Sequence, residues 1–479
     1  MTMRIETKRL RLGFSLWLLC CCAASGSQAE QIDANEPALE FDRFCYPATQ
    51  RNTRNSCECS NVDAAPWGMR ALHIDCSYKN YNKEQLSELL PLYIDSLDAS
   101  WNSLLAVPHF ASDSLRQLNL MHNNISSLME NNFGGLRSLH ELYLGWNSIQ
   151  QLHALSFANL PHLQVLQLSH NNLHVLPAQL FAPLLVLQAL DLSWNRQLNQ
   201  SLSGSQLYSS YGLQQALQTL RLDACNLQQL ELPHNLPLRE LSLRRNQLER
   251  LPQQLPAQLQ RLDCSENQLT QLLPVDTKQL QQLQQLYLED MPQLQSIAAQ
   301  ALAPLQQLQQ LSFQNSRRLS SIDPEAFQLA TPNSHFNSSL RLLSFRGTLL
   351  RSFNASLAPV FGQLTQLDLN GVPLHCDCEL AWLKDFPLNQ TNGRCLRPAR
   401  VRGILLSALR RDDFNCNRWP RWAYGLIILS LIALCAAGVY LIVMGLRPHR
   451  GVTMRRKVGS GSPYARVTIE PNRQEHFTS

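Results

Sequence analysis

Common catalytic motifs are missing from the sequence. It contains no G-x-S-x-G, no H-E-x-x-H and no phosphate-binding glycine loop. Its 14 cysteines include no C-x-x-C pair, the spacing typical of structural zinc sites. We therefore expect a protein without catalytic residues, without a cofactor and without a metal site.

Most of the chain also has few charged residues and a small net charge. Asp, Glu, Lys and Arg make up 16% of the residues, and the formal net charge is +5. Residues 1–29 contribute about +3 and residues 447–479 about +5, so the part between them is slightly acidic, at about −3. A slightly acidic chain gives no reason to expect a nucleic-acid partner.

Long apolar runs occur at only two places. Residues 1–29 combine basic residues, a short apolar run from Phe14 to Ala24 and a small residue at Ala29, the pattern of a secretory signal peptide cleaved after Ala29. The run 423–446 has no charged residue and is long enough for one membrane-spanning helix. The segment that follows is basic, which predicts that residues 447–479 form a cytoplasmic tail. We expect a single-pass type I protein of the plasma membrane with an extracellular N-terminal part.

One pattern, L-x-x-L-x-L-x-x-N-x-L, recurs between these two runs. We number its twelve copies as repeats one to twelve; they begin at residues 94, 115, 139, 163, 187, 217, 238, 259, 283, 308, 340 and 364. The ninth position moves from Asn102 to Val372 in eleven steps of about 24.5 residues, which is the period and consensus of a leucine-rich repeat. Two steps are longer, and their extra residues are polar and turn-rich, as surface excursions are.

Each repeat predicts one short strand. The segment x-L-x-L-x alternates with period two, so its leucines share one face, and neighbouring repeats must stack to bury that face. The ninth-position asparagine ends the strand and can pair with backbone groups of adjacent turns. Repeats nine to twelve have Met291, Ser316, Thr348 and Val372 there, so we expect less regular coils that still stack.

Cysteines cluster at both ends of the repeats. Four precede the first repeat, and four follow the last one within and after the segment HCDCELAWL. Four cysteines allow three connectivities, and bonding within a C-x-C pair is strained, so two remain open for each group. The eight cysteines are Cys45, Cys57, Cys59, Cys76, Cys376, Cys378, Cys395 and Cys416.

Over residues 45–416 the sequence resembles the extracellular leucine-rich-repeat receptors. That family includes the ectodomains of Toll-like receptors, Slit proteins and neuronal leucine-rich-repeat adhesion receptors, and C-x-C followed by E-L-x-W-L is typical of its C-terminal cap. The resemblance implies an α/β leucine-rich-repeat solenoid, a curved horseshoe with a concave parallel sheet, disulfide caps and a single transmembrane helix. It also implies interleaved disulfides: Cys45–Cys59, Cys57–Cys76, Cys376–Cys395 and Cys378–Cys416.

The expected organisation follows from these observations. A signal peptide spans residues 1–29 and an N-terminal cysteine-rich cap residues 30–93. The repeats occupy residues 94–374, and a C-terminal cysteine-rich cap spans residues 375–418. The membrane helix and the tail complete the chain. Cys225 and Cys264 remain outside the two groups, lie two repeats apart and are expected to be inert packing residues.

Five N-x-[ST] sequons lie in the part expected outside the cell, where such asparagines accept glycans. Two of them adjoin the long excursions. They are Asn124, Asn199, Asn337, Asn354 and Asn389.

The eighth position of the first five repeats is occupied by Trp or His. Exposed aromatic side chains in a contiguous strip favour a protein interface. The alternative is that the rings only shield the asparagine turns. The proposed ligand-binding residues are Trp101, His122, Trp146, His170 and Trp194, with Tyr143 beside them. Repeats six to eight present arginines among acidic residues, which favours an internally paired surface or, alternatively, a charged half of the same binding site.

Two functions compete on this sequence. The first is a receptor or co-receptor that binds an extracellular or cell-surface protein ligand through the concave face. The second is a homophilic or matrix cell-adhesion molecule, for which a homodimer is possible. Residues 447–479 are too few for a kinase domain or for the adaptor domain of Toll-like receptors, so we expect no enzymatic domain in the tail.

The tail contains Tyr464-Ala465-Arg466-Val467, which resembles the Y-x-x-[bulky apolar] internalisation signal that clathrin adaptors bind. The preceding Gly459–Pro463 segment favours an extended tether. An inert tyrosine or a phosphorylation site is the alternative. A Tyr464→Ala substitution should slow uptake of a surface-bound antibody and raise the surface level, and unchanged uptake would leave Tyr464 and Val467 without this role.

Overall fold

In the computed structural model, all twelve repeats contribute one three-residue strand each to a single sheet. The structure describes residues 57–62, 71–87, 94–198, 202, 210–213, 216–328, 339–385, 392–414, 416 and 421–446. The expected signal peptide, the tail with Tyr464 and Val467, Cys45, and the sequons at Asn199, Asn337 and Asn389 lie outside these residues. The chain forms two compact units, residues 1–415 and residues 416–479.

The main sheet of the first unit has 14 strands, and after the first pair they all run parallel. The first two strands precede repeat one and pair antiparallel with each other, which closes the end of the sheet. The strands are Glu58–Val62, Ala71–Asp75, Ser96–Asp98, Gln117–Asn119, Glu141–Tyr143, Val165–Gln167, Ala189–Asp191, Thr219–Arg221, Glu240–Ser242, Arg261–Asp263, Gln285–Tyr287, Gln310–Ser312, Leu342–Ser344 and Gln366–Asp368.

The register of the sheet places the repeat leucines directly opposite one another. Leu118 pairs with Leu142, Leu142 with Leu166, and Leu166 with Leu190. These side chains are at most 1% exposed, and the flanking strand residues face outward. The period-two pattern therefore produces a continuous apolar core between the sheet and the opposite side of the coils.

Regular structure elsewhere in this unit is short. Small parallel sheets form from Ser127–Leu128 with Gln151–Leu152, from Gln271–Leu272, Ser296–Ile297 and Ser321–Ile322, and from Leu374–His375 with Cys395–Arg397. Among the described residues, α-helices include Lys83–Ser87, Pro274–Thr277 and Ala358–Phe361. The 3₁₀ helices are Ala355–Leu357, Cys378–Asp385, Ala399–Val401, Leu406–Ala408 and Arg411–Phe414.

Buried asparagines at repeat position nine tie consecutive coils together. The Asn171 side-chain nitrogen donates to the carbonyl oxygens of Leu144, Leu168 and Ser169 at 2.9, 3.0 and 3.3 Å. Its oxygen accepts from the Ile149 backbone nitrogen at 3.0 Å. One side chain thus satisfies backbone groups of two coils inside the solenoid.

The late repeats keep their stacking although they lack this asparagine. Their strands pair in unbroken register through Leu311, Leu343 and Leu367. Ser316 donates to the Leu288 carbonyl at 3.0 Å and Thr348 to the Phe345 carbonyl at 2.8 Å, so hydroxyls take over only part of the hydrogen bonding. The expectation of stacked coils is confirmed, because the leucines remain in phase.

Cys225 and Cys264 are free thiols in the core, and both are fully buried. Burial raises the pKa of the Cys225 thiol to about 12 and raises that of Cys264 well above its usual value. Cys225 lies at repeat position nine, and its Sγ is 3.3 Å from the Leu192 carbonyl oxygen, where it replaces an asparagine. Both cysteines therefore stay protonated and serve packing, as the sequence suggests.

Disulfides occur at both ends of the repeats. Cys57 bonds to Cys76 before repeat one, and Cys376 bonds to Cys395 after repeat twelve. These are two of the four pairs that the resemblance implies. Cys378 and Cys416 are each disulfide-bonded as well.

The second unit contains a helix at Arg421–Gly445. Its segment Trp422–Gly445 has 24 residues, and an 18-residue stretch within it has a mean hydropathy of 2.8 and contains no buried residue. By length and composition this helix is able to cross a membrane.

Candidate functional site: an aromatic edge of the main sheet

The Trp and His side chains at repeat position eight form one continuous stack of rings. We call this stack the aromatic ladder; its members, in order, are Tyr78, Trp101, His122, Trp146, His170 and Trp194. Successive ring centroids are 5.2, 3.7, 5.2, 3.7 and 4.8 Å apart, and the ring planes differ by 10° to 16°. The structure therefore brings together all five position-eight residues that the sequence singles out.

The ring spacing follows from the backbone of the sheet. Strands end at repeat position five, and the backbone nitrogen of each ladder residue donates to the next coil. Trp101 bonds to the Met121 carbonyl at 3.0 Å, Trp146 to Ser169 at 2.9 Å and His170 to Ser193 at 2.8 Å. These bonds extend the strand-to-strand spacing of about 4.8 Å beyond the strands themselves. The position-eight side chains are held at stacking distance as a result.

Every residue at repeat position eight has a left-handed backbone conformation. The φ angles of the ladder residues lie between 54° and 62°. The same position has positive φ in repeats six to twelve, where it ends with Gly347 and Gly371. Glycine adopts this conformation without strain, whereas in other residues the contact between Cβ and the carbonyl group is unfavourable.

Stacking energy and backbone strain are of similar size along the ladder. An aromatic pair contributes about 0.5–1.5 kcal/mol beyond its buried area, and a non-glycine residue with positive φ costs about 1–3 kcal/mol. Five stacked pairs across six strained residues leave no clear gain in stability. Repeats eleven and twelve close the same turn with glycine, so the fold does not require rings at this position.

The ladder is exposed along one side. Tyr78 is 67% exposed, Trp101 45% and Trp146 48%, and the remaining three rings are half-buried. Because the ring faces are covered by neighbouring rings, a partner meets ring edges and not ring faces. Such an edge offers apolar contact area and indole N–H donors to a protein surface.

Both histidines of the ladder favour the uncharged form at neutral pH. Burial lowers the pKa of His122 below its ordinary value. Burial also lowers the pKa of His170; the charge of Asp191 acts in the opposite direction, and that of His122 adds to the lowering. The ladder therefore presents neutral rings from Tyr78 to Trp194, which favours apolar contacts.

Tyr143 does not belong to the ladder. It lies on the strand Glu141–Tyr143, at repeat position five, and its hydroxyl donates to the Glu141 carboxylate at 2.8 Å. Burial, together with this hydrogen bond and the Glu141 charge, raises the pKa of Tyr143 to about 12. Among the described ring pairs, none includes Tyr143, so it flanks the ladder on the face of the sheet.

Tyr78 is the ladder residue that sequence reasoning misses. It lies before the first counted repeat, in the segment that also contains Cys76. The strand Ala71–Asp75 pairs in parallel with the strand of repeat one, so this segment behaves as one further coil. The spacing from Tyr78 to Trp101 equals roughly one repeat, which is the signal that identifies it.

The charged surface of repeats six to eight is only partly paired. Arg244 lies 3.8 Å from Asp263 and 3.2 Å from Glu266, and Arg245 lies 3.0 Å from Glu266. Within the described ranges, Arg221, Arg239 and Arg261 have no carboxylate within 4.0 Å. Internal pairing therefore involves only some of the guanidinium groups and leaves other arginines without a carboxylate.

A shallow depression of about 310 Å³ opens on this part of the sheet. Its lining includes the short side chains of Thr219 and Ser242 and the longer side chains of Arg221, Glu240 and Arg261. No group of three or more His, Cys, Asp or Glu residues is placed to hold a metal ion within the described part of the chain. The lining contains two arginines and three carboxylates, so the depression offers hydrogen bonding and charges of both signs.

Two expected glycosylation sites fall on described residues, and both asparagines are exposed. Asn124 accepts a hydrogen bond from the Ser148 hydroxyl at 3.3 Å. Asn354 caps the helix Ala355–Leu357 by accepting from the Ser356 backbone nitrogen. Asn124 follows the ladder residue His122 by two positions, so a glycan there would flank the ladder.

Residues 137–196 match the family model described as Leucine rich repeat. Human chondroadherin-like protein is 38% identical over 81 residues, which is 16% of this chain and 10% of that protein. This match spans a small part of the curated relative.

Solved structures that resemble the chain include a TLR13–ssRNA13 complex, at 24% identity and a TM-score of 0.46, covering 66% of this chain and 48% of the other. The Drosophila Toll–Spatzle complex gives 23% identity and a TM-score of 0.45, covering 71% and 57%. A complex of Latrophilin 3, Unc5D and FLRT2 gives 17% identity and a TM-score of 0.41, covering 74% and 97%. The chain thus spans about half the length of the first two.

Proposed function

We propose that this chain, a leucine-rich-repeat protein with receptor-like caps, binds a protein ligand or partner receptor along the aromatic ladder. The observation that carries the proposal is the continuous exposed stack at a position where the fold accepts glycine. Rings that the backbone does not need, and that are neutral and held rigidly, suit the apolar centre of a protein interface.

The cellular setting we propose is the plasma membrane. The apolar helix Trp422–Gly445 supports a membrane-anchored protein. The expected signal peptide and the basic residues after the helix support a type I topology, with the repeats outside the cell and residues 447–479 inside. The protein would act as a receptor or co-receptor, and Tyr464 and Val467 would bring it to clathrin adaptors.

The ladder proposal is tested by changing Trp101, Trp146 and Trp194 together to serine. The probe is a panel of purified secreted and cell-surface ectodomains applied to cells that express the full chain. A ligand found in this way should lose at least about thirtyfold in affinity, since truncating an interface hot spot costs about 2 kcal/mol or more. Surface expression, measured with an antibody to an N-terminal tag, should stay normal.

A matched control removes the same number of exposed apolar side chains away from the ladder. Leu105, Met129 and Val175 are 69%, 55% and 65% exposed, so their triple change to serine should leave binding intact. If the tryptophan variant binds with full affinity, the ladder has only a structural role, and the arginine-rich repeats six to eight become the candidate binding site. Collapse of that variant's surface expression would assign the rings to folding.

The adhesion alternative differs in a measurable way. A homophilic adhesion molecule should aggregate cells that express the full chain when no other partner is present. We expect such cells to remain dispersed, because the proposed receptor role requires a partner other than a second copy of the chain.

A further inference from the structure

Two arginine side chains contact the ring of Trp194, the last member of the aromatic ladder. The guanidinium carbons of Arg196 and Arg245 lie 5.6 and 5.1 Å from the centroid of its ring. Arg245 is the position-eight residue two repeats further on, and it reaches Trp194 because Ala224 stands between them with only a methyl group. Two cationic side chains from different coils therefore meet at the last ring.

The positive charge at this point is only partly paired within the protein. Arg196 is exposed and has no carboxylate within 4.0 Å in the described part of the chain. Arg245 shares the Glu266 carboxylate with Arg244, at 3.0 and 3.2 Å. Arg244 also lies 3.8 Å from Asp263, so two carboxylates face these two guanidinium groups, and Arg196 is the guanidinium without one.

Contact with an aromatic ring prepares arginine for binding a carboxylate. Both guanidinium carbons lie within the cation–π range of the Trp194 ring, and a guanidinium group held there can still donate two parallel hydrogen bonds to a carboxylate. The contact also restricts the rotamers of two long side chains before a ligand arrives, which lowers the entropy cost of binding.

We propose that Trp194, Arg196 and Arg245 form a subsite for an acidic side chain of the protein segment that lies along the aromatic ladder. The subsite rests on the proposed function of the ladder and specifies its ligand. An apolar stretch of the segment packs against the rings, and an Asp or Glu next to it reaches the two arginines. Arg221 and Arg239 on the two following repeats add long-range attraction for an acidic segment.

Charge complementarity favours a single carboxylate over a long sulfated glycan. Asp191 and Asp223 lie on repeats five and six, within the span of the subsite, and Glu266 follows it at position eight. A polyanion that covered the arginines would also meet these acidic groups, whereas one carboxylate can reach the arginines alone. The rings to one side provide apolar contact, which a sulfated chain cannot use.

The experiment uses a random library, so that the partner need not be identified beforehand. Random 12-residue peptides displayed on phage are panned on the full chain in lipid nanodiscs, and enriched peptides are synthesised for affinity measurements. We expect them to carry an Asp or Glu beside aromatic or aliphatic residues. Arg196→Gln with Arg245→Gln should weaken binding at least about tenfold, in line with charge-assisted hydrogen bonds.

A double-mutant cycle identifies the contact. Changing the peptide's acidic residue to its amide should weaken binding to the wild-type chain by a similar factor, and should have no further effect on the arginine variant. The control variant carries Arg341→Gln and Arg346→Gln, which removes the same charge from the same sheet in repeat eleven and should bind as the wild type does.

Three results would overturn the subsite. The first is that the enriched peptides lack acidic residues, or that they bind the arginine variant with full affinity. If these peptides no longer bind a variant with Trp101→Ser and Trp146→Ser, the ladder proposal is still supported. The second is a heparin-derived octasaccharide that binds the wild type but not the arginine variant, with no peptide enriched, which would assign the arginines to a glycan. The third is peptides insensitive to the tryptophan changes, which would overturn the ladder proposal itself.

Discussion

Replacing Asn171 with leucine should destabilise the solenoid by roughly 3 kcal/mol, since a buried polar group left without its partner costs about 1–3 kcal/mol and each further lost hydrogen bond about 1 kcal/mol. Leucine has a similar size, so packing changes little. The Ile149 amide loses its bond to the Asn171 oxygen, and the Leu144 and Leu168 carbonyls each lose a bond to the Asn171 nitrogen. The free energy of unfolding, measured by denaturant titration of the full chain in detergent, reports the loss.

The neighbouring asparagines limit this loss to one coil. The Leu144 carbonyl also accepts from Asn147 at 3.1 Å, and the Leu168 carbonyl also accepts from Asn195 at 3.0 Å. Both carbonyls therefore keep one side-chain donor in the leucine variant, and the Ile149 amide is the group that is left without its acceptor.

Two further variants separate the causes. Asn171→Asp keeps the shape and the acceptor for Ile149 but removes both N–H donors and places a charge in the core, so it should be as harmful as leucine. Asn172→Leu changes the next residue, which is exposed, and should alter stability by less than about 0.5 kcal/mol. Equal stability of Asn171→Leu and Asn172→Leu would show that the asparagine column does not support the fold.

Loss of a C-terminal cap disulfide should retain the protein inside the cell. Cys376 and Cys395 are bonded and almost fully buried, and they lie 19 residues apart in sequence. Closing a loop of that length stabilises the folded state by about 3 kcal/mol. Cys376→Ser removes that constraint, buries a hydroxyl group and leaves Cys395 as a free thiol beside the last coil. Surface biotinylation with a parallel measurement of total protein should show most of the variant in the endoplasmic reticulum.

Cys378→Ser should behave in the same way, because Cys378 also takes part in a disulfide. Cys435→Ser is the matched control: this cysteine is free and lies in the apolar helix, so its loss should leave surface levels unchanged. Normal surface levels of both cap variants would mean that the last coil is closed well enough without these bonds.

The twelve strands could be predicted because each repeat carries the same signal. A leucine pattern of period two, repeated about every 24.5 residues, leaves only one way to bury all leucines together. The additional coil before repeat one escapes prediction, because its core positions hold Ile74 and Cys76 where the consensus has leucine. Its strand shows only when it pairs with Ser96–Asp98.

The candidate site could be predicted as a set of residues but not as an arrangement. A shared repeat position brings Trp101, Trp146 and Trp194 to one edge, and this follows from register alone. Whether the rings stack or spread depends on the backbone angle at that position, and the consensus does not encode a positive φ for tryptophan. For the same reason Tyr143, close in sequence, could not be separated from the ladder without the structure.

Which charged residues pair with each other depends on how far each side chain extends, and sequence spacing alone does not determine it. Mixed signs in repeats six to eight favour an internally paired surface. In the structure, Arg244 and Arg245 share Glu266, and Arg261 instead lies 4.9 Å above the Tyr287 ring. Each long side chain has several possible partners within a few ångströms, and the sequence does not show which of them it contacts.

The column of position-eight residues gives the edge of the sheet a direction. It begins with rings, passes through Ala224 to Arg245 and Glu266, and ends with bare glycine at 347 and 371. A ligand segment that lies along this edge meets a different chemistry at each end and so favours one orientation over its reverse. A peptide and the same peptide with its sequence reversed have identical composition, yet this edge would distinguish them.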